Sequence, residues 1–231
     1  MLAAGAWGLL AAGSLVVGAV IGLTLPIPRR IVALVLGFGA GALVSALAFD
    51  LTEEAFRGAG TVVTAAGLAA GALTYFLGNL ALDRRGTGTT AGPGIVLGAL
   101  LDGVPESIVL GATLLAGQGV SLSFLAAVLV SNLPEGLAGA RDLQEDGHRA
   151  SRIIGLWVGV AVASGVAAAL GYAALGSMSP GPVAAVQAFA AGAIITMLAD
   201  TMFPEAFDNG VAAVGLATAF GFATAFLLST A

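Results

Sequence analysis

Two short segments bring acidic side chains next to prolines inside otherwise apolar runs: Leu101-Asp102-Gly103-Val104-Pro105-Glu106-Ser107 and Ser131-Asn132-Leu133-Pro134-Glu135-Gly136. Asp102 and Glu106 are four residues apart, so one helix face presents both carboxylates. Pro105 has no N–H to donate, which frees a carbonyl oxygen one turn earlier, near Leu101. Ser131 and Asn132 stand four and three residues before Glu135, again beside a proline. Packed together, the segments would offer Asp102, Glu106, Asn132 and Glu135, with Ser131 in reach. That is an oxygen-rich ligand set suited to a divalent cation. Asp50, a few residues inside the end of an earlier apolar stretch, would extend such a site or line its entrance.

The elements that must position these residues are membrane spans. Hydrophobic residues make up 58% of the 231 positions and charged residues 9%, with a mean hydropathy of +1.03, far from the composition of a water-soluble domain. Pro, Gly, Arg and Ser clusters divide the chain into eight apolar stretches, roughly Leu2–Leu25, Ile31–Phe56, Thr61–Leu82, Pro93–Gly117, Leu122–Ala140, Ile153–Leu175, Val183–Phe207 and Val211–Leu228. Each is long and continuously apolar rather than alternating, which predicts helices, not the strands of a barrel. The first lacks a basic leader and is too long for a signal-peptide core, so it counts as a span. Small residues recur at spacings of three or four, as in Gly37, Gly41 and Ser45 or Ala66, Ala70 and Leu73, and predict close helix contacts. The expectation is a single all-α membrane domain over residues 1–231.

Arginine placement orients the bundle. Arg29 and Arg30, Arg84 and Arg85, and Arg141, Arg149 and Arg152 fall in alternate connections, with only Arg57 on the other side. By the positive-inside rule those connections are cytoplasmic and both termini are extracytoplasmic. Gly41-Ala42 through Glu54-Ala55-Phe56 aligns without gaps on Gly192-Ala193 through Glu205-Ala206-Phe207. The two segments belong to spans of opposite direction. An inverted repeat is expected, with spans one to three and six to eight flanking spans four and five.

No arginine lies in the middle of any span, yet Asp50, Glu53, Glu54, Asp102, Glu106, Glu135, Asp200 and Glu205 fall inside spans or at their ends. A carboxylate in hydrocarbon is costly, and without a fixed basic neighbour it is neutralised by a proton or a mobile cation. Glu53 and Glu54 are within helical reach of Arg57, and Glu53 reads as a solvated helix end. Asp200 and Glu205 read equally as an exit route or as interfacial charges.

The paired Pro-Glu motifs, the eight-span layout and the Pro-Glu-Ala ending span seven resemble the ZIP family of metal transporters. Asn132-Leu133-Pro134-Glu135-Gly136-Leu137-Ala138 carries the most specific part of the likeness. The resemblance implies transport of zinc, iron, manganese or similar ions into the cytoplasm through a site between helices four and five. Asp102 and Gly103 stand where many members have His-Asn, and Ser131 where His or Gln is common. Span six lacks the carboxylate that often helps form a second metal site, and the usual His-rich loop is replaced by Asp83-Arg84-Arg85-Gly86. Losing nitrogen ligands shifts the expectation toward harder ions.

An enzyme is not expected. His148 is the only histidine, so no His-Glu-x-x-His pair exists; Gly-x-Gly-Asp is missing, and Cys is absent. The competing reading is a proton- or sodium-coupled carrier of a small organic solute using the same carboxylates. Few Arg, Trp or Tyr residues are present in the spans to hold such a solute. The expected partners are a divalent metal ion, as substrate rather than prosthetic group, and a lipid bilayer. Nucleic acid is not expected, a homodimer is the candidate assembly, and a prokaryotic cell membrane is the expected location.

Overall fold

A computed structural model describes residues 1–84, 103, 106–111, 114, 121–208 and 212–229, and among them every regular element is helical. The helices are α1 (Leu2–Thr24), α2 (Arg29–Ala46), α3 (Glu53–Arg84), α4 (Leu122–Glu145), α5 (Ala150–Leu175), α6 (Pro180–Met197), α7 (Phe203–Asp208) and α8 (Val214–Ser229). Among the described residues, five helical stretches are long and apolar enough to cross a membrane: Leu2–Thr24, Arg29–Ala81, Leu122–Glu145, Ala150–Leu175 and Pro180–Asp208; the predicted span Pro93–Gly117 lies mostly outside the described residues. The chain is an all-α bundle of membrane-embedded character.

Local chemistry sets the boundaries. Pro28 is extended immediately before α2, and Pro180 opens α6, where its missing N–H costs nothing. Ser121 caps α4 by accepting the Phe124 N–H at 3.2 Å. The apolar stretch Arg29–Ala81 has 53 residues, and as one straight helix it would be about 80 Å long, far beyond a bilayer core. Gly60 breaks it, with φ 75° and ψ 177°, a backbone conformation that side chains beyond hydrogen disfavour.

Two π-helical segments interrupt the α-helical hydrogen bonding: Leu47–Thr52 between α2 and α3, and Leu198–Met202 between α6 and α7. Both fall inside the two aligned segments of the sequence, at matching places.

Packing follows the glycines. α1 lies along α4 and α5, α2 along α8 and α4, and α3 along α6. A Cβ at Gly41 would stand 1.9 Å from the Thr218 carbonyl oxygen, and one at Gly221 would stand 1.9 Å from that of Phe38. The same arrangement recurs at Gly192 against the Leu68 oxygen, 2.0 Å, and at Gly71 against the Phe189 oxygen, 1.8 Å. Phe38 is three residues before Gly41 as Phe189 is before Gly192, and Thr218 is three before Gly221 as Leu68 is before Gly71. The two helix pairs therefore share one contact pattern. In each pair the helices run parallel: Gly37 meets Val214 and Gly41 meets Thr218, while Gly67 meets Ala185 and Gly71 meets Phe189. The close contact expected at Ala66, Ala70 and Leu73 is not formed by those residues, which are exposed; it falls on the next face of α3, at Gly67 and Gly71, where the missing side chains let the backbones meet.

Gly60→Ala is expected to destabilise the protein by about 1–3 kcal/mol through backbone strain alone, because nothing lies within 4 Å of a Cβ there. Gly13→Ala, equally open but α-helical, should leave stability unchanged. Thermal unfolding in detergent compares them, and equal melting temperatures would contradict the strain. Gly41→Ala and Gly192→Ala should each cost about 1–3 kcal/mol by forcing backbones apart. Gly155→Ala, with open space around it, is the control in the same assay.

Candidate metal-binding site

The acidic segments meet around a small enclosed cavity of about 10 Å³, lined by Ala11, Ala12, Gly103, Glu106, Ser107, Leu110, Val128, Asn132 and Ser164. Glu106 comes from the helical segment 106–111, Asn132 from α4 and Ser164 from α5. Each is deeply buried: Glu106 is 3% exposed, Asn132 5% and Ser164 0%. The polar lining is a carboxylate, an amide and two hydroxyls, with no ring nitrogen and no sulfur, so every side chain offers oxygen to a guest.

Local structure orients these groups. Gly18 lies against the backbone of Leu133, Gly22 against Leu137 and Gly136 against Leu15, so α1 and α4 dock backbone to backbone. At that distance the Ala11 carbonyl accepts the Asn132 side-chain amide N–H at 3.3 Å, and the Ser14 hydroxyl at 2.5 Å. Pro134 sits within α4, where it leaves the Val130 carbonyl without its usual backbone donor.

The other predicted site residues are distributed around this cavity. Asp102 and Pro105 lie outside the described residues. The Ser131 hydroxyl donates to the Val128 carbonyl at 3.0 Å, and its backbone packs against Gly39, so it serves the α2–α4 contact. Glu135 is half-buried and does not line the cavity. By helical spacing it falls on one face with Val128, Asn132 and Asp142. Further along α4 is a separate vestibule of about 690 Å³, whose lining includes Leu137, Ala138, Arg141, Asp142, Glu145, Arg29 and Glu205. Among the described residues, no three Asp, Glu, His or Cys side chains form a cluster that could hold a metal.

Asp50 lies within the first π segment, and its Oδ2 accepts the Ser121 hydroxyl at 2.8 Å and the Ser123 hydroxyl. Asp50 thereby buttresses the cap of α4. Glu53 pairs with Arg57 at 2.5 Å, as its spacing predicts. Glu54 accepts the Gln187 amide N–H at 2.9 Å, tying α3 to α6. At the vestibule Arg141 donates to the carbonyls of Gly22, Leu25 and Ile27, holding the α1–α2 turn against α4.

Sequence reasoning missed Ser107, Ser121, Ser123 and Ser164. Ser121 had a signal, since a serine just before an apolar run marks a helix start; Ser164, alone in an apolar span, had none. No protein-family model matches this chain, and no curated protein matches it in sequence.

Asp50→Ala should lower stability by about 1–3 kcal/mol by leaving the Ser121 and Ser123 hydroxyls without their acceptor. Asp50→Asn, which keeps an acceptor oxygen, should recover most of that loss. Denaturation of both variants in detergent tests this, and an unchanged Asp50→Ala protein would remove the buttressing role.

Proposed function

We propose that this protein carries divalent cations such as manganese, iron(II) or zinc across a membrane, in the manner of the ZIP family its motifs resemble. The observation that carries the reading is the convergence of Glu106, Asn132, Ser107 and Ser164 on one enclosed, oxygen-lined cavity. A space of about 10 Å³ admits one water-sized guest, which favours an ion over the organic solute of the competing reading. Oxygen donors without nitrogen or sulfur favour hard cations. Glu106 and Asn132 are the ligands this proposal takes from the cavity lining; Glu135, which stands outside the cavity on the same helix as Asn132, and Asp102, outside the described residues, are further ligands proposed from the motifs.

The ion's path runs along α4. From the cavity the ion would pass Glu135 and leave through the vestibule, where Asp142, Glu145 and Glu205 supply carboxylates. The vestibule holds Arg29 and Arg141, the residues that mark the cytoplasmic side by the positive-inside rule, and transport toward the cytoplasm is what the ZIP resemblance implies. The parallel pairing of α2 with α8 and of α3 with α6 supports an eight-span chain of alternating direction, and the arginine distribution puts both termini on the extracytoplasmic side in this reading. The recurring glycine contacts and π segments support an inverted repeat around spans four and five. This reading makes the chain a transporter of a prokaryotic cell membrane with the metal as cargo, and it assigns no catalysis.

In liposomes, the wild type should take up manganese, iron(II), zinc or cadmium. Glu106→Ala and Glu135→Ala should each slow the initial rate by about tenfold or more, the scale expected when a metal site loses a supporting group. Equal flux of all four ions in the three proteins would count against the site.

A further inference from the structure

We propose that Ser164 is a ligand-contributing and selectivity-determining residue of the Glu106–Asn132 cavity; this inference rests on the cation-transport reading above. Its hydroxyl oxygen is fully buried and has no hydrogen-bond partner among the described residues, although it lines the same cavity as the Glu106 carboxylate and the Asn132 amide. A serine in a membrane helix ordinarily returns its proton to the carbonyl three or four residues earlier. Ser14, Ser131 and Thr196 do so here, whereas Ser164 does not. A buried hydroxyl left without a partner is costly, and the cavity is the polar space it faces.

Two neighbours fix its aim. Gly103 places its backbone so close that a Cβ there would stand 3.1 Å from the Ser164 Oγ. On the opposite flank, Gly8 of α1 packs against the Ser164 carbonyl, 3.1 Å from where a Cβ would stand, and against Ala168. α5 thus lies against both α1 and the Gly103 backbone, with the Ser164 hydroxyl at the cavity. A hydroxyl oxygen has two lone pairs and can bind a hard cation without losing its proton. Span six, which supplies no carboxylate, would contribute this neutral oxygen instead. The site then takes oxygen from three helical segments, which matches a hard divalent ion such as manganese.

The test is equilibrium binding of manganese and of cadmium to the purified full chain in detergent, with liposome flux alongside, for wild type, Glu106→Ala, Ser164→Ala and Ser164→Cys. Ser164→Ala should weaken manganese binding by about tenfold at an unchanged melting temperature. Ser164→Cys, close in size but soft, should shift the cadmium-to-manganese preference toward cadmium by about tenfold or more. Should Ser164→Ala fail to fold, the Ser164→Cys preference alone decides. If wild type binds and Glu106→Ala does not, while both Ser164 variants keep the wild-type affinities and preference, the role of Ser164 is overturned and the transport reading stands. If wild type neither binds nor carries any of these ions, both fall together.

Discussion

The arrangement depends on backbones touching where glycine removes the side chain. Between helices in lipid the hydrophobic effect supplies almost no drive to associate, so van der Waals contact and polar bonds across the interface must hold the bundle. The carbonyls of Thr218, Phe38, Leu68 and Phe189 lie where a methyl group on the facing glycine would have to be. Each contact sets the distance and the axial offset of two helices at once. The same constraint builds the candidate site. Gly18, Gly22 and Gly136 bring α1 against α4, and only at that separation does the Ala11 carbonyl reach the Asn132 side chain.

Polar side chains then work within spaces the glycines define. The hydroxyls of Ser14, Thr64 and Ser131 return to their own helices. A few reach across: Ser121 and Ser123 to Asp50, Tyr75 to within 3.3 Å of Thr201, and Gln187 to Glu54. The crossing contacts cluster on the π segments and the residues just after them, where the helix hydrogen bonding is already irregular. Rigid glycine-packed shafts joined by polar, irregular elbows are an arrangement in which helix ends can shift while the shafts keep their partners.

Much of this was readable from residue order. The limits of α1, α5 and α8 fall within a few residues of the apolar stretches, because Pro, Gly and Arg clusters end a span through backbone and solvation effects that need no tertiary partner. The break near Gly60 was legible for the same reason, and the Glu53–Arg57 pair from helical spacing. The convergence of Glu106 and Asn132 followed from two similar motifs and the need to shelter polar groups in lipid. Ser164 was illegible because its importance comes from what packs around it, Gly8 and Gly103, on other segments. The Asp50 contacts were hidden likewise, since Ser121 and Ser123 belong to a distant helix. Ser131, which motif position offers as a ligand, donates its hydroxyl to the Val128 carbonyl of its own helix, a local bond that motif position does not reveal.

The π segments give residue number a meaning of its own. Each adds a residue to a turn, which rotates everything beyond it by about 100° around the axis. Beyond the first, that rotation presents Glu54 to Gln187; beyond the second, it presents Glu205 to the vestibule. Removing any one residue from 47–52 or 198–202 would let a regular α-helix re-form while turning these acids to another side. Natural variation in this protein should therefore tolerate exchanges of side chain within the two segments far more readily than changes in their length.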